Sequence, residues 1–336
     1  MKYDVLSFGS ATLDVFLKSS DIKVIKSKEV FTGEALILPY GIKSEVSDLL
    51  ICSGGGGTNT AVGFSRLGLK TAVVARCGWD FAGKIVRAEI KKEKVSDEFL
   101  VQLEGEKTDY STILIGPDGN RTILVWRGGT RLERSVIDFK KLNSFWFYIA
   151  SLEGNLELLS DLVNFAQENH IKVAVNPGKR EIEEREQLLK IAKDVDVFIV
   201  NKEEAARLTS LSLVQEKVFQ QICFLLPKTM VLVTDGANGV SVCLPRTMMV
   251  RGKPKKGRLI MDGFKVKVVD QTGAGDGFGS GFISGLIKGW DLEKSLKLGV
   301  SNGASVVTKI GAKEGLIKEQ EVDFWLEKPL AYHWEK

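Results

Sequence analysis

The sequence predicts an α/β protein: a central, mostly parallel sheet with helices on both faces, and a second, smaller β-sheet beside it. Three observations predict this. From Phe145 onward, apolar runs of strand length alternate with amphipathic runs of helical length, the pattern of a parallel sheet. Near residue 270, the small residues Gly273-Ala274-Gly275 separate Val266, Val268 and Val269 from Phe278, Phe282, Ile283, Leu286 and Ile287. The first group reads as a strand running in and the second has helical spacing. Residues 15 to 52 have no helical period. They carry short apolar runs, Val24-Ile25, Val30-Phe31 and Leu36 to Leu38, broken by Gly33, Pro39 and Gly41, as strands of a small sheet are.

With 336 residues, 44% hydrophobic and 27% charged, the chain is ordinary globular material, read as one domain over 1–336. Lys plus Arg number 47 against 43 Asp plus Glu, a net of +4, too mild to imply nucleic acid. Cys52, Cys77, Cys223 and Cys243 form no Cys-x-x-Cys and have apolar neighbours, which reads as buried reduced thiols in a cytoplasmic protein. His170 and His333 are the two histidines, neither placed for catalysis, so acid–base chemistry rests on carboxylates. No apolar run reaches the ~18 residues of a membrane span. The opening Met1-Lys2-Tyr3-Asp4-Val5 reads as a first strand rather than a signal peptide.

Taken in order, Tyr3 to Gly9 is a buried strand, and Asp14 lies shortly beyond its carboxyl end, where ligands sit in α/β sheets. The glycines of Ser53-Gly54-Gly55-Gly56-Gly57-Thr58-Asn59 let the backbone approach a ligand, and Thr58 and Asn59 are candidates to cap the helix that follows. Thr71 to Ala75 is a strand, and Asp80 caps the helix through Ile85, Val86 and Ile90. Thr108 to Ile115 and Arg121 to Trp126 flank Gly116-Pro117-Asp118-Gly119-Asn120 as a β-hairpin. Arg127 follows it, either a contact to a substrate hydroxyl or carboxylate or a solvated strand-end residue. Strands are expected at 145–150, 172–175, 197–200, 231–234 and 240–244, and helices at 156–167 and 292–309. Asn201 and Glu204, three apart at a helix start, share a face. Arg251 to Arg258 is the one basic run and reads as an exposed loop.

The turn at Gly273 carries the chemistry. A glycine turn opening a helix leaves backbone N–H groups unpaired and pointing one way, a site for phosphate. Asp276 at its mouth repels an anion, so its economical role is to take a proton from a nucleophile attacking the bound phosphate. The helix N-terminus is expected to depress its pKa. A dinucleotide fingerprint fits poorly, since the spacing is Gly-x-Gly-x-Gly and the turn lies near the C-terminus. No P-loop sequence occurs.

Asp270-Gln271-Thr272-Gly273-Ala274-Gly275-Asp276-Gly277-Phe278 closely resembles the signature of ribokinase-type (PfkB) carbohydrate kinases. Gly9 to Asp14, the Gly54-Gly55…Asn59 run, Asn201…Glu204 and Thr234-Asp235-Gly236-Ala237-Asn238-Gly239 resemble its other motifs in family order. The chain departs from the family at Gly277, where Thr or Ala is usual. Gly56 stands where some relatives carry Lys, which argues against assuming ribose.

The resemblance implies a ribokinase-like fold with a lid from about 15–52 and 107–128. It implies Asp276 as base, with Gly273, Ala274 and Gly275 holding the transferring phosphoryl group. Asp14, Gly54, Gly55 and Asn59 would bind a small sugar, with Arg127 a further candidate. Asn201, Thr234, Gly236, Gly239 and Asn302 would border ATP, with Glu204 placing Mg²⁺ through water. Asp270, with backbone carbonyls of the 308 to 313 turn, is the candidate for a monovalent cation such as K⁺, and a homodimer through the lid is the candidate assembly. The alternatives are an adenosine-like nucleoside kinase, with Phe16, Phe31 and Tyr40 as stacking residues, a sugar-binding regulator without turnover, and a dinucleotide-dependent oxidoreductase.

Overall fold

The computed structural model describes residues 2–30, 33–212, 217–245, 249–250, 253–254 and 257–335. The chain opens with β1 (Tyr3–Phe8), β2 (Thr12–Lys18), β3 (Lys23–Lys26), β4 (Glu34–Ile37) and β5 (Asp48–Gly54). Next come α1 (Gly56–Arg66), β6 (Thr71–Gly78), α2 (Phe81–Lys92), β7 (Ser96–Leu103), β8 (Asp109–Ile115) and β9 (Arg121–Trp126). Strand and helix then alternate: β10 (Ser144–Ile149), α3 (Leu156–Glu168), β11 (Lys172–Val175), α4 (Lys179–Glu183), α5 (Arg185–Ala192), β12 (Val197–Asn201), α6 (Lys202–Thr209), α7 (Lys217–Leu225), β13 (Met230–Thr234) and β14 (Val240–Cys243). The chain ends with β15 (Met249–Val250), β16 (Lys253–Pro254), β17 (Arg258–Met261), α8 (Ala274–Ile287), α9 (Leu292–Val306), α10 (Val322–Glu327) and β18 (Tyr332–Glu335).

Among the described residues ten strands form the main sheet, in the order β18-β17-β14-β13-β12-β11-β10-β1-β6-β7. Pairing is parallel from β7 to β13 and antiparallel from β13 to β18. Alternate residues of each central strand enter different cores, as a sheet buried on both faces requires. Leu6, Phe8, Phe147 and Ile149 pack with α3, α5, α6 and α7. Val5, Trp146 and Tyr148 pack on the other face with Phe64 of α1, Phe278 and Phe282 of α8, and Leu296 of α9.

The smaller sheet has the order β5-β2-β8-β9. Its β2 runs antiparallel to β5 but parallel to β8. Strands β3 and β4 pair only with each other, as a separate ribbon.

Two expectations differ from the structure. Val266 to Val269 do not form a strand: the chain there is extended, and its backbone bonds run from Val269 N–H and Asp270 N–H to the Val307 carbonyl at the end of α9. The basic run lies partly outside the described residues, at Arg251, Gly252, Lys255 and Lys256. Arg258 sits in β17, its guanidinium 4.4 Å from the Phe219 ring and its Nη2 donating to Ser241 Oγ, so it is no solvated loop residue. None of the four cysteines forms a disulfide among the described residues, Cys52 and Cys77 being buried and Cys223 and Cys243 half-buried. No helix among the described residues is long and apolar enough to cross a membrane.

Phe282 is fully buried where α8 meets the sheet. Phe282→Ala is expected to cost about 3–5 kcal/mol of stability. Urea unfolding checks this as a lower midpoint with an unchanged slope.

Candidate active site

Because β1, β10, β11, β12 and β13 are parallel, their carboxyl ends open on one edge of the sheet, where ligands gather in such folds. The loops after them and the smaller sheet enclose a cleft.

Asp14 reaches this cleft from β2. It shares one face of the smaller sheet with Cys52, Ser111 and Val125 through cross-strand register. Thr12 Oγ1 donates to its Oδ1 at 2.8 Å. Burial raises its pKa, while Thr12, Ser111 and the Lys313 charge pull the other way. The strand end facing it has to be glycine: a Cβ on Gly54 would lie 1.8 Å from Asp14 Oδ2. The next turn needs glycine too, since Gly55 has φ +91° and a Cβ there would meet the Ser10 carbonyl oxygen at 2.4 Å. Thr58 and Asn59 were expected to cap α1, but both lie inside it. Thr58 Oγ1 bonds back to the Gly54 carbonyl at 2.7 Å, and Asn59 Nδ2 donates to Asp276 Oδ2 at 2.8 Å. Asn59 Oδ1 is buried with no hydrogen-bond partner among the described residues.

Gly273 caps α8 in the left-handed region, φ 79°, packed on Ala312. The amides of Gly275 and Asp276, in the first turn, have no hydrogen-bond acceptor among the described residues. The helix N-terminus was expected to depress the Asp276 pKa, but the group is pushed up to about 6. Burial is the largest cause; Asn59 and Lys313 oppose it, and Asp14 adds to it. A helix terminus contributes about 0.3–1 kcal/mol, under one pKa unit, so desolvation wins.

On the other side, Asn201 and Glu204 form a reciprocal cap at the start of α6. Asn201 Oδ1 accepts from Glu204 N–H at 2.9 Å and Glu204 Oε2 from Asn201 N–H at 2.8 Å. Burial raises the Glu204 pKa against these bonds. Thr234 lies beside Asn201 in register, and the turn from Gly236 to Gly239 continues from it. Gly239 is obligatory there, with φ +93° and the Met261 carbonyl oxygen 2.0 Å from any Cβ.

Other expected residues have different work. Asn302 is fully buried: its Nδ2 donates to the Gly277 carbonyl at 2.8 Å and its Oδ1 accepts from Ile317 N–H at 2.8 Å. It clamps α9 to α8 and has no group left for a nucleotide, which corrects that expectation. Arg127 turns to carboxylates of the chain, pairing with Asp109 at 2.6 Å and with Glu153. Asp270 is fully buried and accepts from Thr272 N–H (2.9 Å), Thr272 Oγ1 (2.7 Å) and Gly311 N–H (3.0 Å). Among the stacking candidates, Phe16 lies in the small-sheet core, Tyr40 is wholly in solvent, and Phe31 lies outside the described residues. Among the described residues no three His, Cys, Asp or Glu side chains gather as a metal site.

Two residues escaped the sequence reading. Lys313, 2% exposed, pairs with Glu89 Oε1 at 3.3 Å and donates to Ser53. Glu181, also buried, accepts from the amides of Leu152 (2.7 Å), Gly154 (3.0 Å) and Gly178 (2.9 Å) and so shapes two loops at the strand ends. No local pattern marks Lys313 or Glu181, because their partners come from distant segments.

A family model described as pfkB family carbohydrate kinase matches residues 5–319. The chain is 30% identical over 265 residues to an uncharacterized sugar kinase of Archaeoglobus fulgidus, covering 76% of this chain and 98% of that one. It is 28% identical over 279 residues to a nucleoside kinase of Methanocaldococcus jannaschii, covering 82% and 85%. In structure it is similar to the ribokinase of Arabidopsis thaliana solved with ribose and ATP, with a TM-score of 0.76, 19% identity, and 98% and 100% of the two chains covered. The ribokinase-like fold is therefore as expected.

The raised pKa of Asp276 has a stability consequence. The folded state favours its protonated form, so the contribution is present below the free value of 3.8 and is lost as pH rises through about 6. Asp276→Asn, which keeps an acceptor for Asn59, is therefore expected to be more stable than the parent above about pH 6 and to lose that advantage near pH 4. Thermal unfolding across this range checks the crossover.

Proposed function

The chain belongs to the pfkB family of carbohydrate kinases, and from that premise we propose how its own residues carry the reaction. The acceptor is a small sugar and the phosphoryl donor is ATP. Asp14 accepts hydrogen bonds from acceptor hydroxyls, and Asn59 Oδ1, buried and without a partner among the described residues, accepts another. Asn59 Nδ2 holds Asp276 Oδ2 at 2.8 Å, which aims the free oxygen of that carboxylate at the attacking hydroxyl. Asp276 takes the hydroxyl proton. With its pKa near 6 it is ionised at neutral pH, yet a stronger base than an ordinary aspartate.

The unpartnered amides of Gly275 and Asp276 suit the oxygens of the transferring group, and Gly273 and Ala274 shape their approach. Mg²⁺, when bound with the nucleotide, would neutralise phosphate charge, and a half-buried Glu204 suits a water-mediated role there. Asn201, Thr234, Gly236 and Gly239, at neighbouring strand ends, border the nucleotide. Asp270 already accepts three bonds, so a K⁺ ion at the 308 to 313 turn would complete rather than build its surroundings.

The segments of about 15–52 and 107–128, which supply the small sheet and the separate β3–β4 ribbon, serve as a lid within the single domain of 1–336. The face of the small sheet away from Asp14 leaves Leu49 (57%), Ile51 (50%), Leu124 (58%) and Trp126 (54%) exposed, which supports a homodimer through it. Arg127 acts indirectly, by fixing Asp109 and Glu153 at the base of the lid. Free thiols support a cytoplasmic setting.

The hydrogen bond joining Asn59 to Asp276 carries this reading, since it places an acceptor-binding amide against the base. One observation favours a nucleoside acceptor instead: Val125 (48% exposed) and Ile123 (41% exposed) lie on the Asp14 face of the lid and offer an apolar wall to a base.

ADP release from Mg·ATP across sugars, sugar phosphates and nucleosides distinguishes the two. Turnover on sugars that falls by roughly 10²-fold or more in Asp276→Asn is the expected result. Turnover confined to nucleosides favours the second reading. Tight binding of a sugar and ATP without turnover leaves only a regulator.

A further inference from the structure

A buried cation that the reaction scheme leaves unused lies between the acceptor side of the cleft and the phosphoryl-transfer turn. Lys313 follows α9 and is 2% exposed. Its Nζ donates to both the carbonyl oxygen and the hydroxyl of Ser53 and pairs with Glu89 Oε1 of α2 at 3.3 Å. Glu89 closes the ring, its Oε2 accepting from Ser53 N–H at 2.5 Å. One ion pair thus holds the donor, the acceptor and the side chain of a single residue at the end of β5. The next residue, Gly54, lies against Asp14, and the chain then turns through Gly55 into α1 and Asn59.

The main chain around Lys313 faces the other way. Ala312 packs on Gly273, whose added Cβ would lie 2.7 Å from the Ala312 Cα, and Gly311 N–H bonds to Asp270 at 3.0 Å. The Lys313 carbonyl accepts from Arg66, which Glu93 holds by two bonds of 2.7 and 2.8 Å. Packing alone does not call for lysine here. Burying an ammonium and a carboxylate costs several kcal/mol per ion, and apolar residues of similar volume are often as stable.

We propose that Lys313 is a positioning residue for phosphoryl transfer. With Glu89 as counter-ion, it fixes the Ser53–Gly55 strand end, and through it Asp14 and Asn59, in register with the Gly273–Asp276 turn. This rests on the kinase reading above. The same charge acts on both Asp14 and Asp276, where it offsets the repulsion between two carboxylates in one cleft.

The test is Lys313→Met/Glu89→Gln, which removes both charges at similar volume. It is read by thermal unfolding, by kcat and KM for sugar-dependent ADP release, and by amide hydrogen exchange. The expected result is a melting temperature close to the parent's, and kcat lower by about 10- to 100-fold, the size of effect an ångström of misplacement has. KM for ATP should be nearly unchanged, and exchange should be faster at residues 54–59 but not elsewhere. A merely structural pair would not separate kcat from stability.

Parental kcat in the double variant overturns the proposal. So does a kcat loss accompanied by faster exchange throughout the chain. If the double variant does not fold, Lys313→Arg, which keeps the charge but changes the reach to Ser53, is read in the same way. If the parent turns over no acceptor, the kinase reading fails separately, and exchange at 54–59 alone decides the role of Lys313: unchanged exchange overturns it.

Discussion

Holding two carboxylates in one cleft, Asp14 buried and Asp276 half-buried, is the constraint on which the rest of this site depends. Asp14 and Asp276 are each raised by burial, and the Asp14 charge raises Asp276 further. The surrounding residues read as answers to that cost. Gly54 gives up its side chain so that the Asp14 carboxylate has room. Asn59 lends an amide to Asp276, Thr12 a hydroxyl to Asp14, and Lys313 a positive charge to both. Relief is incomplete, and the remainder leaves Asp276 basic enough to accept a proton near neutral pH.

The balance also explains why glycine is so concentrated in two segments. At Gly54 and Gly55, the backbone has to pass within contact of the Asp14 carboxylate and of Ser10; at the start of α8, Gly273 turns left-handed against Ala312. In both places the chain is doing something a Cβ forbids. Asp270 and Glu181 act similarly at a distance: buried carboxylates gather backbone amides and so set the loops that rim the cleft.

Much of this was legible in the sequence, for local reasons. The alternation of elements after Phe145, the turn at Gly273 and the hairpin around Gly116 to Asn120 are each specified within a dozen or so residues. Where the reading went wrong, the deciding fact was not local. Val266, Val268 and Val269 read as a strand running in, but the chain there pairs with no strand, and Val269 and Asp270 N–H bond to the Val307 carbonyl instead. Asn302 reads as a polar residue on a helix, and only the packing of α9 on α8 reveals that both ends of its amide are taken. The Asp276 pKa was misjudged because a helix N-terminus is visible in sequence and depth of burial is not. Lys313 lies 260 residues from Ser53, beyond the reach of any spacing rule.

Asn59 and Asp276 are 217 residues apart in the chain. On the ribosome, at about 5–20 residues per second, Asn59 would wait roughly 10–40 s for Asp276. During that interval the nascent chain holds the Gly54–Asn59 segment without the Gly273–Asp276 turn. The bond between Asn59 and Asp276 therefore exists only once both segments are in place in the folded chain.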